Sequence, residues 1–330
     1  MEGAIGCPYI VLLLSIIRDI SLFNVFWVIS PLSFMASEPT WQTILRLLRW
    51  DKPAGRLILI VPALWAVFLA AEAKPDPWLV LVIVLGAITT SAAGCVVNDL
   101  WDRDIDPLVE RTKVRPLAAR ALTVKVGIVT ALISLFCAAG LAFYFNPWTN
   151  PLSFWLCVGA VPVIVCYPLA KRFFPVPQLV LAIAWGFAVL ISWSAVTKDL
   201  SLPTWLLWGA TVLWTLGFDT IYALADREDD LKIGINSSAI FFGKFAPEAI
   251  GLFFVGTAAC LAVLGRLLNL YLLPYGITWA IAVGLWFRQY WQLRKHNLPR
   301  SQYSAMFAQN VTIGFILLLG MISGSLLTVP

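Results

Sequence analysis

Histidine occurs once in these 330 residues, at His296, and Asp, Glu, Lys and Arg together supply only 12% of the chain. A single imidazole between Lys295 and Asn297 excludes haem or zinc chemistry that needs several ring nitrogens. The six cysteines show no metal-ligand spacing, and Cys95, Cys137, Cys157, Cys166 and Cys260 sit in apolar runs, so they read as core thiols. So little charge, beside 60% hydrophobic residues and a mean hydropathy of +0.85, lies outside the range of a soluble domain of this length. There is no basic stripe with interleaved aromatics, so the formal charge of +5 does not point to nucleic acid.

What the chain does hold is a series of apolar runs. A helix needs about 20 mostly apolar residues to cross a bilayer, because unpaired backbone groups are costly in hydrocarbon. Runs of about that length lie near residues 57–73, 78–97, 123–145, 152–169, 178–196, 205–222, 247–265, 271–287 and 304–327. The sequence therefore predicts an all-α polytopic membrane protein with nine spans, forming one domain over residues 35–330. The connections at 74–77, 146–151, 197–204 and 266–270 carry only Lys74, Lys198 and Arg266, and Lys125 lies within a run; every other basic residue falls in the alternate connections or before the first run. Lysine and arginine bias towards the cytoplasm predicts Arg56 inside and Pro330 outside.

Residues 1–34 fit this pattern less well. The segments 9–17 and 22–34 are apolar but interrupted by Arg18 and Asp19, and no small-residue cleavage site follows, which argues against a signal peptide. Met35 opens "MASEPTWQTILRLLRWDKPAG", which reads as a natural amino terminus followed by a basic amphipathic helix at the interface. The leader is then either a start-site extension or a tenth hydrophobic element.

Two stretches break the apolar background. "AGCVVNDLWDRDIDPLVERTKVRP", residues 93–116, follows the second run and packs five carboxylates with four basic side chains. A helix continued through it carries Asn98, Asp102 and Asp106 on one side, with Asp99 and Asp104 pointing elsewhere. "GFDTIYALADREDDLKIG", residues 217–234, closes the sixth run and spaces Asp219, Tyr222, Asp226 and Asp230 along one helical face. Both stretches contain Asp-Arg-x-x-Asp, at 102–106 and 226–230, and the expected topology puts them on the same side of the membrane. Like charges so spaced repel, so carboxylates kept together near hydrocarbon imply a cation between them. Mg²⁺ favours hard oxygen ligands and bridges protein carboxylates to phosphate oxygens. Two opposed clusters can hold ions around a diphosphate and spread its charge as it leaves. If the carbon bearing that diphosphate is allylic, departure of the diphosphate leaves a delocalised cation from which apolar and aromatic walls would exclude water. An ion-coupled transporter also carries acidic residues in its spans, but it does not require matching groups at one face.

These motifs resemble those of the UbiA superfamily of intramembrane aromatic prenyltransferases, and within it the 4-hydroxybenzoate polyprenyltransferases. Asn98, Asp99, Asp102 and Asp106 match its Asn-Asp-x-x-Asp-x-x-x-Asp motif, and Arg111, Thr112, Arg115 and Pro116 match the Arg-Thr-x-x-Arg-Pro continuation. Asp219, Tyr222, Asp226 and Asp230, followed by Lys232, match the second motif; "YPLAKR" matches the short basic turn through Tyr167, Lys171 and Arg172. "RWDKPAGRLILIVPALW" resembles the lead-in to the first span, with Arg49, Asp51, Lys52, Pro53 and Gly55.

The resemblance implies a nine-helix intramembrane bundle with a central cavity, using Mg²⁺ to move a polyprenyl group from its diphosphate to C3 of 4-hydroxybenzoate. Asn98, Asp102 and Asp106 would form one metal wall and Asp226 and Asp230 the other. Arg111, Lys171 and Arg172 would hold diphosphate, with Lys232 balancing metal or phosphate and Arg115 either binding or anchoring. Asp219 and Tyr222 would orient the phenol or shield the carbocation. Arg56 would meet the acceptor's carboxylate or act as a topological anchor. The setting implied is a bacterial cytoplasmic membrane, among membrane lipids, in quinone biosynthesis. Haem, homogentisate and chlorophyll-precursor enzymes of the superfamily are the alternatives; "YALADREDDLKIGINSSAIFFG" looks more like the hydroxybenzoate branch.

Overall fold

The computed structural model describes residues 39–52, 54–295 and 298–327. The 1–34 leader, Pro53 and His296 of the sequence reading therefore lie outside the described residues. A short helix α1 (Thr40–Leu47) precedes α2 (Ala54–Ala70), α3 (Pro77–Asp102), α4 (Val124–Ala142), α5 (Pro151–Cys166), α6 (Pro177–Thr197) and α7 (Leu202–Leu224). Two short helices, α8 (Arg227–Ile233) and α9 (Ser238–Phe242), lead into α10 (Ala246–Leu267), α11 (Leu272–Leu293) and α12 (Arg300–Leu326).

Proline and capping side chains fix where several helices begin. Pro77, Pro151 and Pro177 stand first in α3, α5 and α6, where a missing N–H costs nothing. Asp76 accepts from the Trp78 amide at 3.2 Å, and Asn150 and Thr123 cap α5 and α4 in the same way. Six of the described helical segments are long and apolar enough to cross a membrane, and α2 is a shorter apolar helix. The chain is an all-α, polytopic, integral membrane protein.

A ring of helices runs α2, α6, α7, α10, α11, α12 and back to α2, with α3 packed outside α2, α4 against α3, and α5 against α6. Its centre is filled by Trp65, Trp214 and Phe218, all fully buried. Gly314 lets α12 lie close to this centre: a Cβ there would come within 2.7 Å of Val61 and 2.9 Å of Trp214, while its carbonyl accepts from the Trp65 indole at 2.9 Å. Asn310, one turn earlier, accepts from the indoles of Trp214 and Trp286 at 3.0 Å each and donates to Gln289 at 3.1 Å. Such a satisfied polar knot ties three helices where no water competes.

The two acidic stretches depart from the expected unbroken helices. α3 stops at Asp102, and Asp106 opens a separate 3-10 turn, Asp106–Leu108. Pro107 explains the break, since it has no N–H to donate and disfavours α backbone in the residue before it. α7 likewise stops at Leu224, and Asp226 precedes α8, which carries Asp230. Each aspartate pair thus straddles a helix end. The carbonyl-rich, negative pole of α3 and of α7 adds to the carboxylates beside it and favours cations there.

Candidate active site

A cavity of about 290 Å³ opens between the ends of α3 and α7. Asn98, Asp102, Asp106, Arg111, Arg115, Lys171, Asp219, Tyr222, Asp226 and Asp230 all line it. The fold therefore brings together both acidic motifs, the start of the first basic continuation and the lysine of "YPLAKR".

Each carboxylate is matched differently. Asp102 pairs with Lys171 at 2.5 Å, and its other oxygen is buried without a hydrogen bond. Arg115 donates to both oxygens of Asp106, at 3.1 and 2.9 Å. Arg111 crosses from the first motif to the second: its Nε and Nη2 donate to Asp226, its Nη1 donates to the Tyr222 hydroxyl at 2.9 Å, and its guanidinium lies 4.5 Å from that ring. Asp230 has no ion pair among the described residues; burial and the neighbouring Asp226 push its carboxyl up to about 7. Burial likewise raises Asp106, against the pull of Arg115. Arg111, although burial opposes its charge, is held above its ordinary range by Tyr222 and Asp226.

Three residues expected at the site stand apart from the cavity wall. Arg172 is exposed and donates to the Trp101 carbonyl at 2.6 Å, closing the end of α3 rather than facing the cavity. Lys232 is 74% exposed and 3.8 Å from Asp229. Its place on α8 turns it to solvent, because Asp226 and Asp230 use the inward side. Arg56 is 5% exposed, stacks on Trp50 at 4.1 Å and has all three guanidinium nitrogens buried without a hydrogen bond among the described residues.

Other cavity residues were not singled out as site residues from sequence. Arg49 and Cys95 line it near α3, and Gln178, Asn236 and Ser237 line it below α6 and α8. Gln178 accepts from the Ser238 amide at 2.7 Å, and the Asn236 amide donates to the Lys171 carbonyl at 2.8 Å, so this loop fixes the lysine's backbone. Nothing in the spacing of these residues marks them. Their signal is only that polar residues recur beside Pro177 and Gly234.

Among the described residues no three Asp, Glu, Cys or His side chains converge as a ready metal cage. The donor set still fits Mg²⁺: hard carboxylate oxygens from two walls, one of them buried and unpartnered, face a space that can also admit phosphate oxygens.

A membrane helical bundle with two acidic walls and interleaved cations at one end defines a protein with a densely charged site at the edge of hydrocarbon. The chain belongs to the UbiA prenyltransferase family, whose family model matches residues 59–311. It is 64% identical over 289 residues to the 4-hydroxybenzoate solanesyltransferase of a Synechocystis species, covering 88% of this chain and 97% of that one. With the 4-hydroxybenzoate octaprenyltransferase of Methylococcus capsulatus it shares 41% identity over 276 residues, 84% of this chain and 92% of the relative. In fold it resembles a UbiA homologue from Aeropyrum pernix (TM-score 0.69, 22% identity, 81% and 96% of the two chains). A UbiA homologue from Archaeoglobus fulgidus bound to GPP and Mg²⁺ also resembles it (TM-score 0.62, 18% identity, 83% and 99%).

Proposed function

We propose that this chain transfers a polyprenyl group from polyprenyl diphosphate to C3 of 4-hydroxybenzoate, releasing diphosphate. The observation that carries this reading is the meeting of two aspartate pairs from different helices across one cavity, with Arg111 and Lys171 between them. The 64% identity to a 4-hydroxybenzoate solanesyltransferase supports the acceptor and makes solanesyl diphosphate the first donor to test.

Asp102, Asp106, Asp226 and Asp230, with Asn98, would hold Mg²⁺, which supplies Lewis-acid stabilisation of the departing diphosphate. Arg111 and Lys171 already lie at carboxylates of that site, and their N–H groups can turn to phosphate oxygens as charge develops there. The donor's C–O bond breaks with its electron pair leaving on diphosphate. The allylic cation then faces Tyr222, which lines the cavity; behind it, its ring contacts Phe307 at 4.8 Å, Phe307 contacts Phe218 at 5.5 Å, and Phe218 contacts Trp185 at 5.7 Å. The Tyr222 ring suits a delocalised cation, and the apolar rings packed behind it keep water away. Asp219, deeper on α7, can accept from the acceptor's phenol, which directs attack to the carbon beside it. Loss of the C3 proton restores the aromatic ring.

Arg56 is assigned the acceptor's carboxylate, because a buried guanidinium with no hydrogen bond among the described residues calls for an anion, and although it stands behind the cavity wall, Cys95 of that wall is among its neighbours. The nine long helices among the described residues are read as nine membrane crossings of a bacterial membrane. The excess of lysine and arginine at the cavity end supports placing the aspartates on the cytoplasmic face. Purified protein incubated with Mg²⁺, 4-hydroxybenzoate and a ladder of prenyl diphosphates, with products identified by mass spectrometry, tests the reading. Failure to form any 3-polyprenyl-4-hydroxybenzoate would overturn it.

A further inference from the structure

Asp99 adjoins Asn98 in sequence yet forms no part of the cavity wall; it is fully buried behind it. Its Oδ1 accepts from Arg49 at 2.6 Å and lies 3.2 Å from Arg115, while its Oδ2 is buried with no hydrogen bond among the described residues. Both of those arginines do line the cavity, and Arg115 also grips Asp106. Arg49 has a φ of 60°, a left-handed conformation that a non-glycine residue keeps only where its surroundings impose it. The Asp99 ion pair and a 3.4 Å hydrogen bond to the Arg46 carbonyl are what hold its side chain.

The wall itself is close to electrical balance. Arg49, Arg111, Arg115 and Lys171 face Asp102, Asp106, Asp219, Asp226 and Asp230. A site that must take up a divalent cation and a diphosphate together cannot lean far towards either sign. In a buried place screening is weak, so one further fixed charge counts heavily.

We propose that Asp99 is a positioning residue that sets this balance: a buried negative charge that holds Arg49 and Arg115 at the rim and offsets enough of their charge for a metal ion to bind beside them. The inference rests on the cavity's being the Mg²⁺ and diphosphate site. It predicts shifts of opposite sign for the two ligands, which a general loss of structure would not give.

The test uses full-length protein in detergent, with Mn²⁺ binding read by electron paramagnetic resonance and inorganic diphosphate binding read by calorimetry in a chelator. Asp99→Asn keeps the shape of the side chain and an oxygen for Arg49. It should weaken Mn²⁺ binding by roughly 10-fold or more, the order expected for one charge at short range in a poorly screened site, and tighten metal-free diphosphate binding. Arg49→Gln should do the reverse, and the double variant should return both affinities towards wild type. Asp99→Asn losing both affinities together, or changing neither, would overturn the proposal. If Asp99→Asn does not fold, Arg49→Gln decides alone, and unchanged Mn²⁺ binding in it is a negative result. Wild-type protein that binds both probes but prenylates no 4-hydroxybenzoate would overturn the acceptor assignment and leave the charge-balance inference to these shifts. Wild-type protein that binds neither would overturn both.

Discussion

Arg111 and Asp226 stand 115 residues apart and are joined by three hydrogen bonds, from Nε at 3.1 and 2.9 Å and from Nη2 at 2.5 Å. This pair draws the loop after α3 onto the end of α7. A second tie reinforces it: the Glu110 amide donates to Asp229 at 3.3 Å, and Arg300 at the start of α12 donates to the same carboxylate at 3.1 Å. The two acidic motifs are therefore held face to face by the protein's own cations.

If both walls act on one diphosphate, removing a charged oxygen from either should be costly. Asp102→Asn and Asp226→Asn preserve side-chain size and should each lower kcat/KM by at least ~100-fold, about 2.7 kcal/mol of transition-state stabilisation. Asp104→Asn is the control, because Asp104 is 64% exposed and pairs with Arg103 and Arg120 away from the cavity. Steady-state kinetics on the three folded variants rank the effects. Near-normal activity in both Asp102→Asn and Asp226→Asn would rule out the paired walls.

Metal removal should act on chemistry without unfolding the bundle. The apolar core around Trp65, Trp214 and Phe218 is formed by side chains alone, so chelation should abolish prenyl transfer while helical circular dichroism stays unchanged, and added Mg²⁺ should restore turnover. Undiminished turnover in demonstrably metal-free protein would contradict the site.

The apolar runs foretold the long helices because hydrocarbon leaves the backbone no partner but itself, and the pattern is written over some twenty residues at a time. The acidic motifs were legible for a related reason: charge is so scarce in this chain that any cluster of it stands out. Spacing alone misjudged how Asp106 and Asp226 arrive, since Pro107 and the stop after Leu224 break the helices that would have carried them. It also could not tell Lys171 from Arg172. Adjacent residues on a tight turn point in different directions, and only the fold shows that one meets Asp102 while the other meets a backbone carbonyl. Asp99 is hidden in the same way, as a motif residue whose partners, Arg49 and Arg115, come from segments far apart in sequence.

Asn310 offers a test of the packing. Asn310→Leu would leave the indole N–H groups of Trp214 and Trp286 and the Gln289 carbonyl oxygen without their partner inside the bundle. Hydrogen bonds between membrane helices are worth about 0.6 to 1.7 kcal/mol each, so a loss of roughly 2 to 5 kcal/mol is expected. Thermal unfolding in detergent should show a clearly lower Tm, with donor KM little changed at temperatures where the variant stays folded. An unchanged Tm would mean that the knot adds nothing to stability.

Three basic residues that the motifs offered to the site should separate sharply on substitution. Lys171 lies 2.5 Å from Asp102 and lines the cavity, so Lys171→Met should remove a cation from the diphosphate site and cut kcat/KM for the donor by ~50-fold or more. Arg172 reaches the Trp101 carbonyl at the end of α3. Arg172→Met should cost less, roughly 3- to 10-fold, because it loosens the helix end that carries Asp102 without removing a group from the cavity. Lys232, exposed and only loosely paired with Asp229, should tolerate Lys232→Met within about 2-fold, as a weak surface ion pair does. The discriminating measurement is competitive inhibition by inorganic diphosphate across the three variants: Lys171→Met should weaken it most and Lys232→Met not at all. Equal weakening in Lys171→Met and Arg172→Met would show that Arg172 also reaches the phosphates.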